Sequence, residues 1–296
     1  MGQTVAIACC RATPVAPPHE LYPDPDSDLL AARLMSWGCH AVKVAWDDPA
    51  VDWAACAAVI IRSTWDGVDR SKEFLRWTET VSAQSVLQNP APTVAWNMNK
   101  RYLQDLEAAG IATIPTLWVE PGESWIPPIG EFIVKPAVGA GARNTARYSQ
   151  QMQAGAYDHV SMLGQNGQTT LVQPYLPSIE TEGEISLVFI DGRFSHAIRK
   201  GSFLNLDEGI IDNPWEQMTY LGLSEPSPIE MTLGSATFDM AQQRAAQPLI
   251  YGRVDLVADA HGNPLIMEME LIDPFLSLTV APHAADNMAQ AIARSI

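Results

Sequence analysis

Two strand-like runs near the C-terminus, 250–258 and 264–271, flank the turn sequence His261-Gly262-Asn263. Between them they carry Arg253, Asp255, Glu268 and Glu270 on apolar backgrounds. Side chains of a strand alternate faces. Arg253, Asp255 and Val257 therefore share one face, and Glu268 and Glu270 share one face with Met267 and Met269 behind them. With a loop over 260–263, Asp259 pairs with Pro264, Asp255 falls opposite Glu268, and Arg253 falls opposite Glu270. Like charges opposed across a strand pair destabilise it, so these carboxylates need a partner. A shared hard cation such as magnesium removes the conflict, with substrate phosphates completing its shell. The alternative is a solvated acidic face balanced by Arg253.

The rest of the chain divides by the kind of strand pairing it allows. Strands at 4–8, 41–45 and 57–62 alternate with helices at 26–37 and 70–83, which predicts a parallel sheet with crossover helices. Gly38 closes the first helix, and the Pro-rich stretch 11–26 reads as a loop. Residues 1–95 thus form an N-terminal α/β domain. Asn89-Pro90 and Pro92 break the chain before a second unit. A helix runs from Asn99 to Ala109 and stops at Gly110. Further strands are expected at 116–119, 131–135, 169–173, 184–190 and 194–199, the last two joined by the hairpin signal Asp191-Gly192. The stretch 202–228 lacks periodicity and reads as a lid loop. Helices follow at 238–249 and 284–295. From residue 96 onward the fold class is α+β with antiparallel pairs.

The chain has 296 residues, 47% of them apolar, enough for two or three lobes. Its formal net charge of -16 repels nucleic-acid backbones and anionic lipid. A polyphosphate ligand would have to meet a local basic pocket. Cys9, Cys10, Cys39 and Cys56 lack zinc-ligand spacing and read as buried free thiols. Arg11 and the prolines after it interrupt any signal-peptide pattern, and no apolar run is long enough to span a bilayer. The expectation is a cytoplasmic protein without nucleic-acid or membrane partners.

Three more clusters carry chemistry. Lys135 ends the apolar run from Phe132 and precedes a small-residue loop containing Gly139 and Gly141, followed by Arg143. Small residues let backbone N–H groups approach an anion closely, which suits a polyphosphate; the alternative is a lysine snorkelling at a strand end. Gln173-Pro174-Tyr175-Leu176 runs out of a strand into a linker, with Glu180, Glu182 and Glu184 after it. Exposed backbone groups there can read the Watson–Crick edge of adenine, and a following carboxylate can hold a ribose; the alternative is an acidic surface loop. Arg62-Ser63-Thr64-Trp65-Asp66 sits at the carboxyl end of a parallel strand, where open α/β sheets bind ligands. Arg62 can pair with a substrate carboxylate, with Ser63 and Thr64 donating hydrogen bonds. An Arg62–Asp66 salt bridge is the alternative. His19 and His196 read as structural.

Taken in order, Lys100, Lys135, the small-residue loop, Gln173 to Leu176, Gly183-Glu184, and Asp255 with Glu268-Met269-Glu270 resemble the ATP-grasp superfamily over residues 96–280. The resemblance implies two lobes, 96–172 and 173–296, whose antiparallel sheets clamp ATP. It implies phosphate contacts from Lys100 and Lys135, and an adenine pocket of Gln173, Tyr175 and Leu176. Glu184 would hold the ribose, with Glu180 as second choice. Asp255, Glu268 and Glu270 would hold two Mg2+ ions, with Mn2+ an alternative ion. Arg253 and Arg199 would face the acyl phosphate or substrate carboxylate. Many members carry Asn where Glu270 stands, which leaves the third metal ligand open. Within the superfamily, Arg62 to Asp66, Asn89-Pro90, Trp96-Asn97, Pro115-Thr116, Lys135 to Arg143 and Arg253 to Leu256 are similar to the D-cycloserine synthetases, O-ureido-D-serine cyclo-ligases. That resemblance implies an ATP-dependent carboxylate–nitrogen ligase working through an acyl phosphate on a small amino-acid-like substrate. Its rivals are an intermolecular peptide- or glutathione-forming ligase and a non-catalytic ATP-binding regulator. A homo-oligomer stays open.

Overall fold

The computed structural model describes residues 2–202, 204–206, 208–211 and 220–296, and among these the strands form three sheets. The first holds β1 (Thr4–Cys9), β2 (His40–Ala45), β3 (Ala58–Ile61) and β4 (Val86–Gln88) in the order β2-β1-β3-β4, all parallel. Its faces are covered by different helices. Val5, Ile7 and Cys9 pack toward Leu30 and Leu34 of α1 (Pro25–Ser36). Ala6 and Ala8 pack toward Phe74, Trp77 and Val81 of α2 (Ser71–Ser82), beside Trp46 and Trp53. The Asp24 carboxylate accepts from the Asp26 N–H at the start of α1, and Gly38 turns the chain at a φ of 83°.

Helices α3 (Ala91–Asn97) and α4 (Tyr102–Ala108) lead into the second sheet. It holds β5 (Leu117–Val119), β6 (Phe132–Pro136), β7 (Ala146–Tyr148) and β8 (Thr170–Pro174) in the antiparallel order β5-β8-β6-β7. Helix α5 (Gln153–Gln165) covers one face through Ala156, Val160 and Leu163. The short α6 (Ser178–Thr181) links to the third sheet. That sheet holds β9 (Glu184–Ile190), β10 (Arg193–Lys200), β11 (Tyr220–Ser224), β12 (Tyr251–Ala258) and β13 (Pro264–Glu270), antiparallel in the order β11-β10-β9-β12-β13.

The two faces of the third sheet have different fates. Ile185, Leu187, Phe189, Val254 and Leu256 bury against α4 and α7 (Pro228–Arg244). Gly252 makes room there, because a Cβ would stand 2.6 Å from the Phe238 ring. On the opposite face Val188, Ile190 and Tyr251 join the core of the first sheet, with Ala284, Ala285 and Met288 of α8 (Pro282–Ser295). The same face further along carries Glu184, Ser186, Arg253 and Asp255. The N-terminal lobe therefore covers one end of this face and leaves the charged end free to line a cleft.

Two buried asparagines fix the strand pair. Asn89 Nδ2 donates to the Tyr251 and Leu271 carbonyls at 2.9 and 2.8 Å, and its Oδ1 accepts from Ile250 N–H. Asn97 does the same for Met269 and Leu271.

Several elements differ from expectation. Helix α7 starts at Pro228 rather than 238, because Ser227 and Glu230 form a reciprocal capping box and Pro228 takes the first turn. Strand β11 lies within the stretch read as a lid, of which residues 203, 207 and 212–219 lie outside the described residues. Helices α3 and α5 and strands β4 and β7 were not expected. The expected unit boundaries after 95 and 172 fall inside α3 and β8. Cys9, Cys10 and Cys56 are buried free thiols, whereas Cys39 is only partly covered.

His159 of α5 is 1% exposed, with Nδ1 3.0 Å from the Tyr148 hydroxyl. Burial pushes its imidazole down to about 4 from 6.5. A histidine held neutral in the fold takes up a proton on unfolding. Its contribution is full above pH 6.5 and is lost as pH falls toward 4, a loss of roughly 3 kcal/mol. Urea unfolding of His159→Leu across that range is expected to show a flatter acid limb than the parent.

Candidate active site

One cleft between the second and third sheets gathers most of the residues singled out in the sequence. Lys100, Lys135, Gly139, Gly141, Gln173, Tyr175, Leu176, Glu184, Arg253, Asp255, Glu268 and Glu270 all line it. The empty space is about 1150 Å³ and open to solvent. Five basic side chains face four carboxylates there, since Arg143 and Lys200 also contribute. In a chain of net charge -16 this is a local basic excess, which a polyphosphate requires.

The hairpin register brings the charges together. Arg253 pairs with Glu270 and Asp255 with Glu268, as read from the sequence. The expected pairing of Asp259 with Pro264 does not occur; Ala258 pairs with Pro264. A bulge in β13 absorbs the difference, and Met267, expected on the opposite face, lines the cleft with Glu268.

Each carboxylate has a cation. Arg253 donates Nε to Asp255 Oδ1 and Nη2 to Asp255 Oδ2, both at 2.8 Å, and Nη2 also to Glu270 Oε1 at 2.5 Å. Lys100 Nζ pairs with Glu268 Oε1 at 2.9 Å and donates to the Gly139 carbonyl at 2.6 Å, tying β13 to the small-residue loop. Lys200 pairs with Glu184 and stands 4.0 Å from Asp255. Ser186 donates to Glu184 Oε1 at 3.1 Å. Lys135 has no ion pair or side-chain hydrogen bond among the described residues, and burial lowers its ammonium.

The pairings split the carboxyls. Burial would raise Asp255, but Arg253 and Lys200 outweigh it and hold it at about 2. Burial pushes Glu270 up to about 7, against the pull of Arg253. Glu184 is also raised by burial. Glu268 is lowered, because Lys100 and Lys135 overcome its burial.

Hard oxygen donors in this number suit magnesium. Among the described residues no three acidic, His or Cys side chains converge tightly enough to cage an ion. Magnesium commonly takes one or two carboxylates and completes its shell with phosphates and water. The residues therefore fit an ion shared with a bound polyphosphate, and not a cage of protein ligands alone.

Two expectations are corrected. Arg199 does not reach the cleft: its guanidinium donates to the Glu182 carbonyl and stands 3.6 Å from Glu230. The Asp191-Gly192 turn alone would set Arg199 opposite Glu184. A bulge at Ser195 shifts the register, so Lys200 faces Glu184 and takes the place in the cleft. Arg62, Ser63 and Thr64 also lie outside it. Arg62 Nη1 donates to the Pro274 carbonyl, the Ser63 hydroxyl bonds Asp24, and Thr64 donates N–H and Oγ1–H to Asp273 at 3.0 and 2.8 Å. The loop 272–281 after β13 takes up Arg62 and Thr64 at the end of β3, while Asp24, just before α1, takes up Ser63. The alternative pairing of Arg62 with Asp66 is not formed either; Asp66 bonds Trp46 Nε1 and Arg70. Glu180 pairs with Arg147 at 2.8 Å outside the cleft, which leaves Glu184 as the carboxylate facing it. His19 is exposed, and His196 bonds the Leu276 carbonyl, a structural role.

At the apolar end, Leu176, Ile179, Val257 and Met267 line a slot beside Tyr175. The Arg147 guanidinium lies 3.5 Å from the Tyr175 ring centroid and fixes its plane. At the other end Gly183, at a φ of 75°, packs against the Lys200 backbone so closely that a Cβ would collide, which seats Glu184 against Lys200.

Over its first sheet, residues 5–89, the sequence matches the family described as D-cycloserine synthetase DcsG, N-terminal domain. It is 35% identical to the cycloserine biosynthesis protein DcsG of Streptomyces lavendulae, covering 92% of this chain and 94% of that protein. The chain belongs to the D-cycloserine synthetase family. The crystal structure of D-cycloserine synthetase DcsG superposes with a TM-score of 0.87 at 33% identity, covering 98% of this chain and 99% of the other. The ATP-grasp ligase PsnB, solved with a phosphomimetic precursor variant, Mg and ADP, shares the fold at a TM-score of 0.62 and 17% identity, covering 98% of each chain. The chain thus shares the fold of the ATP-grasp ligases.

Removing Arg253 leaves Asp255 buried without its bidentate partner. Arg253→Met is expected to cost about 3–5 kcal/mol in chemical unfolding. If the carboxylates take a divalent ion, Mg2+ with ADP returns part of that loss, read as a larger thermal shift on ligand addition than the parent shows.

Proposed function

We propose that the protein uses ATP and Mg2+ to activate the carboxylate of O-ureido-D-serine and closes it to D-cycloserine. The observation that carries this reading is the cleft itself. Free Lys135, loop-bound Lys100 and paired Lys200 and Arg253 surround four carboxylates, next to an apolar slot edged by the Gln173–Leu176 hinge. The names of two relatives, a 35% identical cycloserine biosynthesis protein and a 33% identical D-cycloserine synthetase, support the product.

In this reading the adenine enters the slot beside Tyr175, Leu176 and Met267. Glu184 holds the ribose hydroxyls. Lys100, Lys135 and the backbone N–H groups near Gly139 and Gly141 hold the phosphates. Mg2+, in two ions or replaced by Mn2+, would be held by Asp255, Glu268 and Glu270 and would supply charge neutralisation at the transferred phosphoryl group. The lysines draw charge from that group as the substrate carboxylate oxygen attacks phosphorus and ADP leaves. Arg253, already fixed by Asp255 and Glu270, faces the acyl phosphate. The ureido nitrogen bonded to oxygen then attacks the acyl carbon, its proton and phosphate depart, and the five-membered ring closes; water then cleaves the carbamoyl group from the ring nitrogen, returning a proton to that nitrogen and releasing carbamic acid, which breaks down to CO2 and ammonia. Holding nucleophile and electrophile in one molecule supplies the proximity term without a second substrate site. We place the reaction in the cytoplasm.

With O-ureido-D-serine, ATP and Mg2+, and without added amine, ADP release and D-cycloserine by mass spectrometry are expected. ADP release that depends on a second amine would instead mark an intermolecular ligase. Glu268→Gln is expected to lower kcat by at least about 10²–10³-fold. Undiminished turnover in that variant removes Glu268 as a metal ligand.

A further inference from the structure

Gln173 lines the cleft where the nucleotide base is placed, and an amide offers a donor at one end and an acceptor at the other. Which end faces the base is settled outside the cleft. Gln173 Nε2 donates to Thr116 Oγ1 at 2.8 Å. The Thr116 hydroxyl spends its single proton on the Ile114 carbonyl, also at 2.8 Å. Having no proton left, Thr116 can only accept from Gln173. The amide is thereby held with its nitrogen outward, and Oε1, which has no hydrogen-bond partner among the described residues, is left to the cleft. Ile114 is itself anchored, since its N–H donates to the Ile266 carbonyl of β13.

We infer that Thr116, which does not line the cleft, sets the base specificity of the nucleotide site by locking the Gln173 amide in the orientation that accepts the adenine amino group. The inference rests on the nucleotide reading proposed above. Adenine presents an amino donor at C6 and an acceptor at N1; guanine presents an acceptor at C6 and a donor at N1. Gln173 Oε1 matches the adenine amino group. The Leu176 N–H, without a partner among the described residues, matches adenine N1. Guanine would set O6 against Oε1 and N1–H against N–H. A free glutamine could turn its amide over and meet O6 with its NH2 end. Thr116 prevents that turn, because the amide oxygen would then face a hydroxyl oxygen whose proton is committed to Ile114. Thr116 is thus a positioning residue, and its effect falls on discrimination more than on affinity.

Titration of the full chain with ADP and with GDP, each with Mg2+, tests this by calorimetry. The parent is expected to bind ADP well in preference to GDP. Thr116→Val keeps the shape and deletes the acceptor, and the ADP-to-GDP affinity ratio is expected to fall roughly fivefold to tenfold, mainly through better GDP binding. Thr116→Ser, which restores the hydroxyl, keeps the parent ratio. The double variant T116V/Q173E regains discrimination, because a carboxylate presents an acceptor whichever way it turns. Equal loss of both nucleotides in Thr116→Val, an unchanged ratio, or no recovery in the double variant overturns the lock. Absence of ADP binding by the parent overturns the nucleotide reading instead.

Discussion

The Arg253 guanidinium is the interaction on which the rest of the site depends. It is 6% exposed, grips Asp255 with two parallel hydrogen bonds, reaches Glu270 on the neighbouring strand, and donates Nη1 to the Phe275 carbonyl. Without it, buried Asp255 would keep only Lys200, 4.0 Å away, and Glu270 on the adjacent strand would lose its ion pair. An arginine suits this place because it keeps its charge when buried and its planar fork matches a carboxylate. The same group therefore stabilises β12 against β13 and presets the site electrostatics.

The contact to Phe275 extends that role to the loop after β13. Three successive carbonyls of this loop are held from three strands or strand ends: Pro274 by Arg62, Phe275 by Arg253, and Leu276 by His196. Asp273 accepts from Thr64 just before them. The loop joins the N-terminal sheet to the strand pair that carries the carboxylates. The parallel sheet thus contributes to the cleft by fixing its floor, even though its own strand-end residues do not line it. Burial of Arg62 against the Pro274 carbonyl replaces the substrate contact that its position at the end of β3 suggested.

The balance of charge in the cleft is held in pairs that a ligand can rearrange. Glu268 sits on Lys100, Glu184 on Lys200, and Lys135 has no ion pair among the described residues. A polyphosphate that draws Lys100 and Lys200 would release carboxylate oxygens for the divalent ion that accompanies it. Such an exchange costs less than exposing unpaired buried charges, because each group trades one partner for another.

How much was legible in the sequence depended on whether an alternation was regular. Parallel strands of β-branched residues between helices, the Asp191-Gly192 turn, and the period-two placement of Arg253, Asp255, Glu268 and Glu270 are local patterns, and they located most of the strands and the four charged residues of the hairpin, whereas Lys100 and the nucleotide roles of Lys135, Gln173 and Glu184 came from the family resemblance. The sequence could not show the bulges at Ser195 and in β13, since an extra residue in a ladder is paid back only by contacts with other strands; yet these decide that Lys200 replaces Arg199 and that Met267 turns inward. Nor could it show that loop 272–281 would take up Arg62 and Thr64 and Asp24 would take up Ser63, or that Thr116 would meet Gln173 across 57 residues of chain. Residue type and spacing determined which chemistry the chain can hold, because faces and turns follow from the backbone of each segment. Tertiary structure alone decided which of those groups stand free and which are spent on one another, because burial and hydrogen-bond saturation are settled only when distant segments pack.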